Sequence, residues 1–278
     1  MMWAIVFALI AHVNAEQPGI QHQPGETIVL VGNGLGSRMM QHGYFETEIY
    51  LRNRDKDLFI RNLCDECNTP AFWAHSARPN PWAFPGAEKF VERFNTRERH
   101  GTTQLGRGFE NSPDEWLQEL KPDTIFAFFG FNESFRGAGG LDAYKQELAG
   151  YLKHLQGSKF KGKAPRIVLF SPIAFQNLSA THNTPVGETQ NKDLALYTAA
   201  MKEVASSLKV PFVDLYQPSL GWFANSTNAL TVDGASLNEA GYKKLGGFLA
   251  DKLYGPAKIP QSEYDQVHRL VSDKNWHW

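Results

Sequence analysis

The chain has 278 residues, of which 42% are hydrophobic and 13% aromatic, and its formal net charge is -1. This length and composition predict one main folded domain with a substantial buried core. Because lysine and arginine are neither in excess nor clustered, the sequence argues against nucleic acid as a partner.

The first 15 residues form a short apolar block that ends in Val13-Asn14-Ala15. An apolar block closed by small residues is typical of a signal peptide that is cleaved on export. The block is short for a bilayer span, and an uncleaved anchor is the alternative. We therefore predict a signal peptide over residues 1–15 and an exported protein, periplasmic or secreted, with no membrane span after cleavage.

Apolar runs alternate with helical patterns along the rest of the chain. Runs of aliphatic and β-branched residues bounded by turns are typical of buried strands in a parallel sheet. The alternation predicts an α/β fold with a five-stranded parallel sheet covered on both faces. The predicted strands lie at 27–32, 58–63, 124–129, 166–170 and 211–215.

Helix signals separate these strands. After the first strand, Leu35, Met39, Phe45 and Ile49 have the spacing of one helix face. The stretch 112–115, Ser-Pro-Asp-Glu, predicts a helix start with serine at the N-cap, proline at N1 and glutamate at N3. The segment 70–108, rich in proline, glycine and tryptophan, predicts a long loop.

The two cysteines, Cys64 and Cys67, form a Cys-x-x-Cys pair after the second predicted strand. A structural disulfide is the first interpretation in an exported protein, with free thiols or redox chemistry as alternatives. A zinc site would need two further ligands, and Asn68 excludes a Cys-x-x-Cys-His haem attachment. We predict no metal and no cofactor.

Short motifs follow the predicted strands in chain order. In order they are Gly32-Asn33-Gly34-Leu35, the loop with Cys67, Gly130-Phe131-Asn132, and the segment from Asp233 through Ser236 to Tyr242.

This order resembles the SGNH (GDSL-like) hydrolase superfamily over a domain that we place at residues 24–255. The resemblance implies a flavodoxin-like α/β/α sandwich and an ester hydrolase site. It would place the nucleophilic serine at Gly34, the oxyanion glycine at Cys67 and the catalytic histidine at Ser236. Asn132 and Asp233 match the family. The chain also resembles an SGNH-like module of large exported proteins from planctomycete-type bacteria.

A site without the family's serine and histidine, here Gly34 and Ser236, lacks the usual nucleophile and the usual base. Ser37 lies one helical turn after Gly34 and is a substitute nucleophile, although a serine near a helix start is usually an ordinary first-turn residue. The other candidates are Cys67 as a nucleophile, His75 or His182 as a base, and Asp233, Glu66 or Glu133 as a residue that activates water.

Three functions stay open. The first is a non-catalytic cleft that binds a small saccharide or ester ligand, with Phe72, Trp73, Trp82 and Phe84 facing a sugar or, alternatively, pinning a loop to the core. The second is an active carbohydrate or lipid esterase with displaced catalytic residues. The third is a thiol-disulfide or interaction module based on the two cysteines.

The end of the chain, residues 256–278, predicts a helical tail. It places Tyr264, Val267, Leu270 and Val271 at helical spacing and ends with Trp276 and Trp278. Two tryptophans at a terminus favour docking on the domain or on a protein partner.

Overall fold

The computed structural model describes residues 19–74, 80–90 and 111–277. Its centre is a five-stranded parallel sheet, as predicted, and the strand order is β2-β1-β3-β4-β5. The strands are β1 Thr27–Gly32, β2 Phe59–Asn62, β3 Thr124–Phe128, β4 Arg166–Phe170 and β5 Phe212–Val213.

Helices connect the strands and cover the sheet. Short 3-10 segments lie at Ala87–Phe90 and Ala138–Gly140. The α-helices are α1 Gly34–His42, α2 Tyr44–Arg52, α3 Pro113–Leu120, α4 Phe131–Ser134, α5 Leu141–Gly157, α6 Glu188–Leu208, α7 Tyr216–Asn225, α8 Glu239–Tyr254 and α9 Gln261–Trp276.

The core consists of two clusters on opposite faces of the sheet. Alternate residues of a strand point to opposite faces, so Val29 and Ile28 of β1 belong to different clusters. The cluster around Val29 contains side chains of α5 and α6, and the cluster around Ile28 contains side chains of α1, α2 and α8. The predicted three-layer α/β/α sandwich is confirmed.

The prediction of one continuous helix through Leu35 and Ile49 is wrong, because α1 and α2 are separate helices. The break lies at Gly43, which has a φ of 65° and donates its N–H to the Met39 carbonyl oxygen at 2.8 Å. Glycine adopts this left-handed conformation at little cost and therefore ends a helix here. The apolar spacing continues across Gly43, and therefore the spacing did not reveal the break between the two helices.

The aromatic residues of the long loop pack into the core. Trp73, Phe84 and Phe72 are 1%, 6% and 8% exposed. Phe84 also stacks on His154 of α5, with ring centroids 5.1 Å apart. The loop is therefore pinned to the domain, and these three side chains do not present a surface to a sugar. Residues 75–79 and 91–108 of the predicted loop lie outside the described ranges.

The predicted start of α3 is confirmed as a capping box. The Ser112 Oγ accepts from the Glu115 N–H at 3.3 Å, and the Ser112 N–H donates to Glu115 Oε2 at 2.6 Å. These two bonds satisfy amide groups that a helix start leaves free.

We expect Ser112→Ala to lower the free energy of unfolding by about 1 kcal/mol, because it removes the N-cap acceptor. Urea denaturation measures this loss. A matched control is Ser207→Ala, since Ser207 is an exposed serine near the end of α6. An equal loss in both variants would contradict the capping contribution.

The tail forms α9, which packs against α1 and α2. Val271 is buried, His268 Nε2 donates to the His42 carbonyl oxygen at 2.8 Å, and Asn275 Nδ2 donates to the Met40 carbonyl oxygen at 3.1 Å. Trp276 is 87% exposed, so it does not dock on this domain. Trp278 and the predicted signal peptide lie outside the described residues.

Within the part of the chain that the structure describes, no helix is long and apolar enough to cross a membrane.

Candidate functional site

A cavity of about 60 Å³ opens at the carboxyl ends of the central strands. The chain leaves β1 toward β2 on one side and returns to β3 on the other, which makes this edge the topological switch point where α/β sheets bind ligands. The lining residues come from the loops that follow the strands and from the helices beyond them. They are Asn33, Gly34, Leu35, Arg38, Glu66, Phe128, Phe129, Phe131, Asn132, Ser171, Pro172, Ile173, Ala235, Ser236 and Tyr242.

Gly34 lies at the first position of α1, where the resemblance would place the nucleophile. A Cβ atom at this position would collide with Glu66 Oε2. The Glu66 carboxylate therefore occupies the space into which a side chain at position 34 would project. Its placement depends on the absence of a side chain at Gly34.

Arg38 holds this carboxylate. Its Nε donates to Glu66 Oε1 at 2.9 Å, and the hydrogen bond to Glu66 raises the pKa of the guanidinium. The two side chains are 33% and 49% exposed. A pair that water screens to this extent stabilises a fold by about 0–1 kcal/mol. The ion pair with Arg38 thus positions the Glu66 side chain. Breaking this pair to release the side chain costs little free energy.

Asn132 lines the cavity and lies in the short helix α4 that follows β3. Its Nδ2 donates to the carbonyl oxygens of Glu66 at 2.8 Å and Asn68 at 3.0 Å. Both N–H groups of the amide are thus used to hold the loop after β2. In this conformation Asn132 positions the loop that carries Glu66 and has no N–H left for a ligand oxygen.

Ser236 lines the cavity and is hydrogen-bonded to Asp233, which is not among the lining residues. Ser236 Oγ donates to Asp233 Oδ2 at 3.0 Å, while Asp233 Oδ1 accepts the N–H groups of Ala235 at 2.9 Å and Ser236 at 2.6 Å. Burial alone would raise the pKa of Asp233, but these hydrogen bonds outweigh it and lower the pKa. Asp233 is therefore a weak base, and its carboxylate is occupied by its own turn.

The two cysteines are free thiols, so the predicted disulfide is not formed in this structure. Cys67 is exposed and is not among the cavity-lining residues. Cys64 lies against Gly36 of α1, and burial raises the pKa of its thiol well above the ordinary value. Since the thiolate is the reactive form, Cys64 is a poor nucleophile.

The other predicted substitutes do not line the cavity. Ser37 is half-buried on α1, and His182 is exposed, with its Nδ1 2.9 Å from Thr181 Oγ1. Glu133 is fully buried, and His75 falls in a range that the structure does not describe. Among the described residues, neither a histidine nor a cysteine lines the cavity.

Arg38 and Tyr242 are cleft residues that the sequence analysis missed. Arg38 lies four positions after Gly34, so the helical period could have placed it on the same face. Tyr242 lies within the last motif, its hydroxyl donates to the Leu35 carbonyl oxygen at 3.2 Å, and its ring stacks on His42. It joins α8 to the start of α1.

Solved structures with the same fold include several hydrolases. A catalytic mutant of Axe2, an acetylxylan esterase from Geobacillus stearothermophilus, is 13% identical with a TM-score of 0.56, covering 84% of this chain and 96% of that one. LAE5, an alpha/beta hydrolase enzyme from the metagenome of Lake Arreo, is 14% identical with a TM-score of 0.55, covering 85% and 99%. At these identities the likeness concerns the fold.

The family assignment comes from the sequence. No curated protein matches the chain. The model of the GDSL-like lipase/acylhydrolase family matches residues 62–244, which is most of the domain and includes Glu66, Asn132 and Ser236. The chain therefore belongs to the GDSL-like lipase/acylhydrolase family.

Proposed function

We propose that this protein binds a small saccharide- or ester-type ligand in the cleft and does not hydrolyse it. The observation that carries the proposal is the Glu66 carboxylate beside Gly34. A carboxylate, held by Arg38, fills the space where the resemblance would place the nucleophilic hydroxyl. Acyl transfer by the family's route needs a nucleophile, a base and free donors for an oxyanion.

The surroundings of this carboxylate support the same proposal. The Ser236 hydroxyl donates to Asp233 at the position where the resemblance would place the catalytic histidine. A hydroxyl does not serve as a base at neutral pH. Asn132 spends both N–H groups on the loop carbonyl oxygens. The cavity nevertheless persists at the usual ligand position of the fold, which favours a binding role.

The position of Glu66 also favours one alternative, an esterase with displaced catalytic residues. A carboxylate that points into a cleft could remove a proton from water, and the water would then attack an ester carbonyl. In that case Glu66→Gln would abolish turnover. Ser37→Ala would abolish it if Ser37 were the nucleophile.

We expect rates of aryl acetate and aryl butyrate hydrolysis that are indistinguishable between the wild type and Asn132→Ala. Acetate release from acetylated xylo-oligosaccharides tests the substrate class of the acetylxylan esterase with the same fold. Turnover that survives rigorous purification and is lost in Glu66→Gln would overturn the non-hydrolytic proposal and support the alternative.

Binding is tested with the same acetylated oligosaccharides by saturation-transfer NMR. Ser236→Trp should abolish the signal, because Ser236 lines the cavity and an indole at this position would occupy the space that the ligand needs. The matched control is Ser207→Trp on the exposed face of α6, which should leave the signal unchanged. A signal that survives Ser236→Trp would place the ligand elsewhere.

A further inference from the structure

The inference below rests on the proposed function and names the chemical class of the ligand. We propose that the cleft binds a small saccharide that carries a carboxylate, such as a uronate, and that this carboxylate displaces the Glu66 side chain from Arg38. The Glu66 side chain is then an internal stand-in for the ligand. Neutral sugars and esters are the weaker ligands of this site.

The first observation is the carboxylate that is already there. Glu66 Oε2 lies at the start of α1, beside Gly34, and Oε1 accepts from Arg38 Nε at 2.9 Å. An arginine and a helix N-terminus together form an environment that favours a carboxylate. The Glu66 carboxylate thus occupies the position in which we propose that the carboxylate of a ligand binds.

The second observation is independent of Glu66. Asn33 is the N-cap residue of α1, its side chain makes no capping hydrogen bond, and it is only 1% exposed. Its Nδ2 has no hydrogen-bond partner among the described residues, and Asn33 lines the cavity. A buried amide N–H without an acceptor is costly, and a ligand oxygen in the cavity would supply the acceptor.

The backbone of the Glu66 loop is fixed, whereas the side chain can leave. Asp65 N–H donates to the Gly32 carbonyl oxygen at 3.0 Å, and Asn132 holds the Glu66 carbonyl oxygen. The carboxylate itself is half exposed, so water can solvate it when it swings out. An entering carboxylate would therefore replace it without rebuilding the loop.

Charge balance favours a carboxylate over a neutral ligand. Arg38 faces two anions, Glu66 and Asp233, and Asp233 is already satisfied by the N–H groups of its turn and by the Ser236 hydroxyl. A neutral ligand that displaced Glu66 would leave the guanidinium without its ion pair. A carboxylate restores the pair and can accept two parallel N–H groups from arginine.

Three matched probes test the inference: methyl glucuronoside, its methyl ester and methyl glucoside. Calorimetric titration of the wild type should give the tightest binding for the acid. Arg38→Gln should weaken that binding by about 10-fold or more, which is the loss of a charge-assisted hydrogen bond. Glu66→Gln should strengthen it by about 3- to 5-fold, because the internal competitor loses its charge.

The controls are Arg54→Gln and Glu263→Gln, which remove a salt bridge of 2.8 Å far from the cleft. Both should leave the affinity for methyl glucuronoside unchanged. Failure of the acid to bind the wild type and Glu66→Gln would overturn the inference, as would equal affinity for the acid and its ester. Binding of the ester or the glucoside would then leave the proposed function standing, whereas hydrolysis of the ester would overturn the proposed function alone.

Discussion

Replacing Glu133 by glutamine is expected to remove a steep loss of stability that the wild type suffers between about pH 5 and pH 8. Glu133 is completely buried, its Oε2 accepts the Gly130 N–H at 2.7 Å, and its Oε1 has no partner within the described residues. Burial, followed by repulsion from Glu147, raises the pKa of Glu133 from 4.5 to about 8. Arg136 opposes this shift only weakly, because it pairs with Glu147 at 2.8 Å.

The sign of the effect follows from proton linkage. Below the unfolded pKa of 4.5, Glu133 is protonated in both states, and its contribution to stability is fully present. As the pH rises, the unfolded carboxyl ionises while the folded one stays protonated, so the unfolded state is favoured by about 1.4 kcal/mol per pH unit. The loss ends when the pH passes about 8, where the folded carboxyl also ionises. Glutamine does not titrate and has no such slope.

Urea denaturation of the wild type and Glu133→Gln at pH 5, 7 and 9 measures the effect as a difference, so that other titrating groups cancel. We expect the variant to gain about 3 kcal/mol or more relative to the wild type between pH 5 and pH 9. The matched control is Glu203→Gln, which makes the same change at a side chain that is 67% exposed. A parallel pH dependence of the wild type and Glu133→Gln would contradict a neutral buried carboxyl.

Gly32→Ala is expected to be the most destabilising methyl addition in the sheet. Gly32 ends β1 with a φ of 131°, and a Cβ atom there would overlap the backbone atoms of Phe128 on β3. Backbone atoms of a central strand cannot move aside as a flexible side chain can. The neighbouring Asn33 N–H donates to the same Phe128 carbonyl oxygen at 2.9 Å, so relief of the overlap would also break this bond.

We expect Gly32→Ala to lower the free energy of unfolding by more than about 4 kcal/mol, measured by urea denaturation, or to give insoluble protein. Gly25→Ala is the matched control, because Gly25 also has a positive φ, of 75°, but has open space around its Cβ position. Gly25→Ala should lower the free energy of unfolding by only about 1–2 kcal/mol, which is the cost of a non-glycine residue in the left-handed conformation. Equal losses of unfolding free energy in Gly32→Ala and Gly25→Ala would contradict the prediction. The overlap with Phe128 would then add nothing to the cost of the positive φ.

The fold was predictable because its signals are local. Apolar runs such as Ile125 to Phe128 are buried on both faces, and the alternation of strands with helical spacing leaves few architectures. The break at Gly43 was not predictable, since apolar spacing continues through it. The roles of Trp73 and Phe84 were equally hidden, because composition does not tell whether an aromatic side chain packs inward or outward.

The candidate site was predictable only in part. The order of the motifs brought Gly34, Asn132 and Ser236 to one cleft, where the structure also places them. The position of the Glu66 carboxylate depends on the path of the loop after β2 and on the space that Gly34 leaves. The state of Cys64 and Cys67 depends on the orientation of two side chains, which a spacing of three residues does not determine.

The two outer strands of the sheet have a consequence for self-association. β2 has four residues and β5 has two, so the open margins present few unpaired backbone groups to another chain. Strand addition between molecules, the first step of fibril growth, needs a longer free margin. The longer apolar strands β1, β3 and β4 lie between these two short edge strands. We therefore expect that aggregation of this protein requires loss of the native sheet.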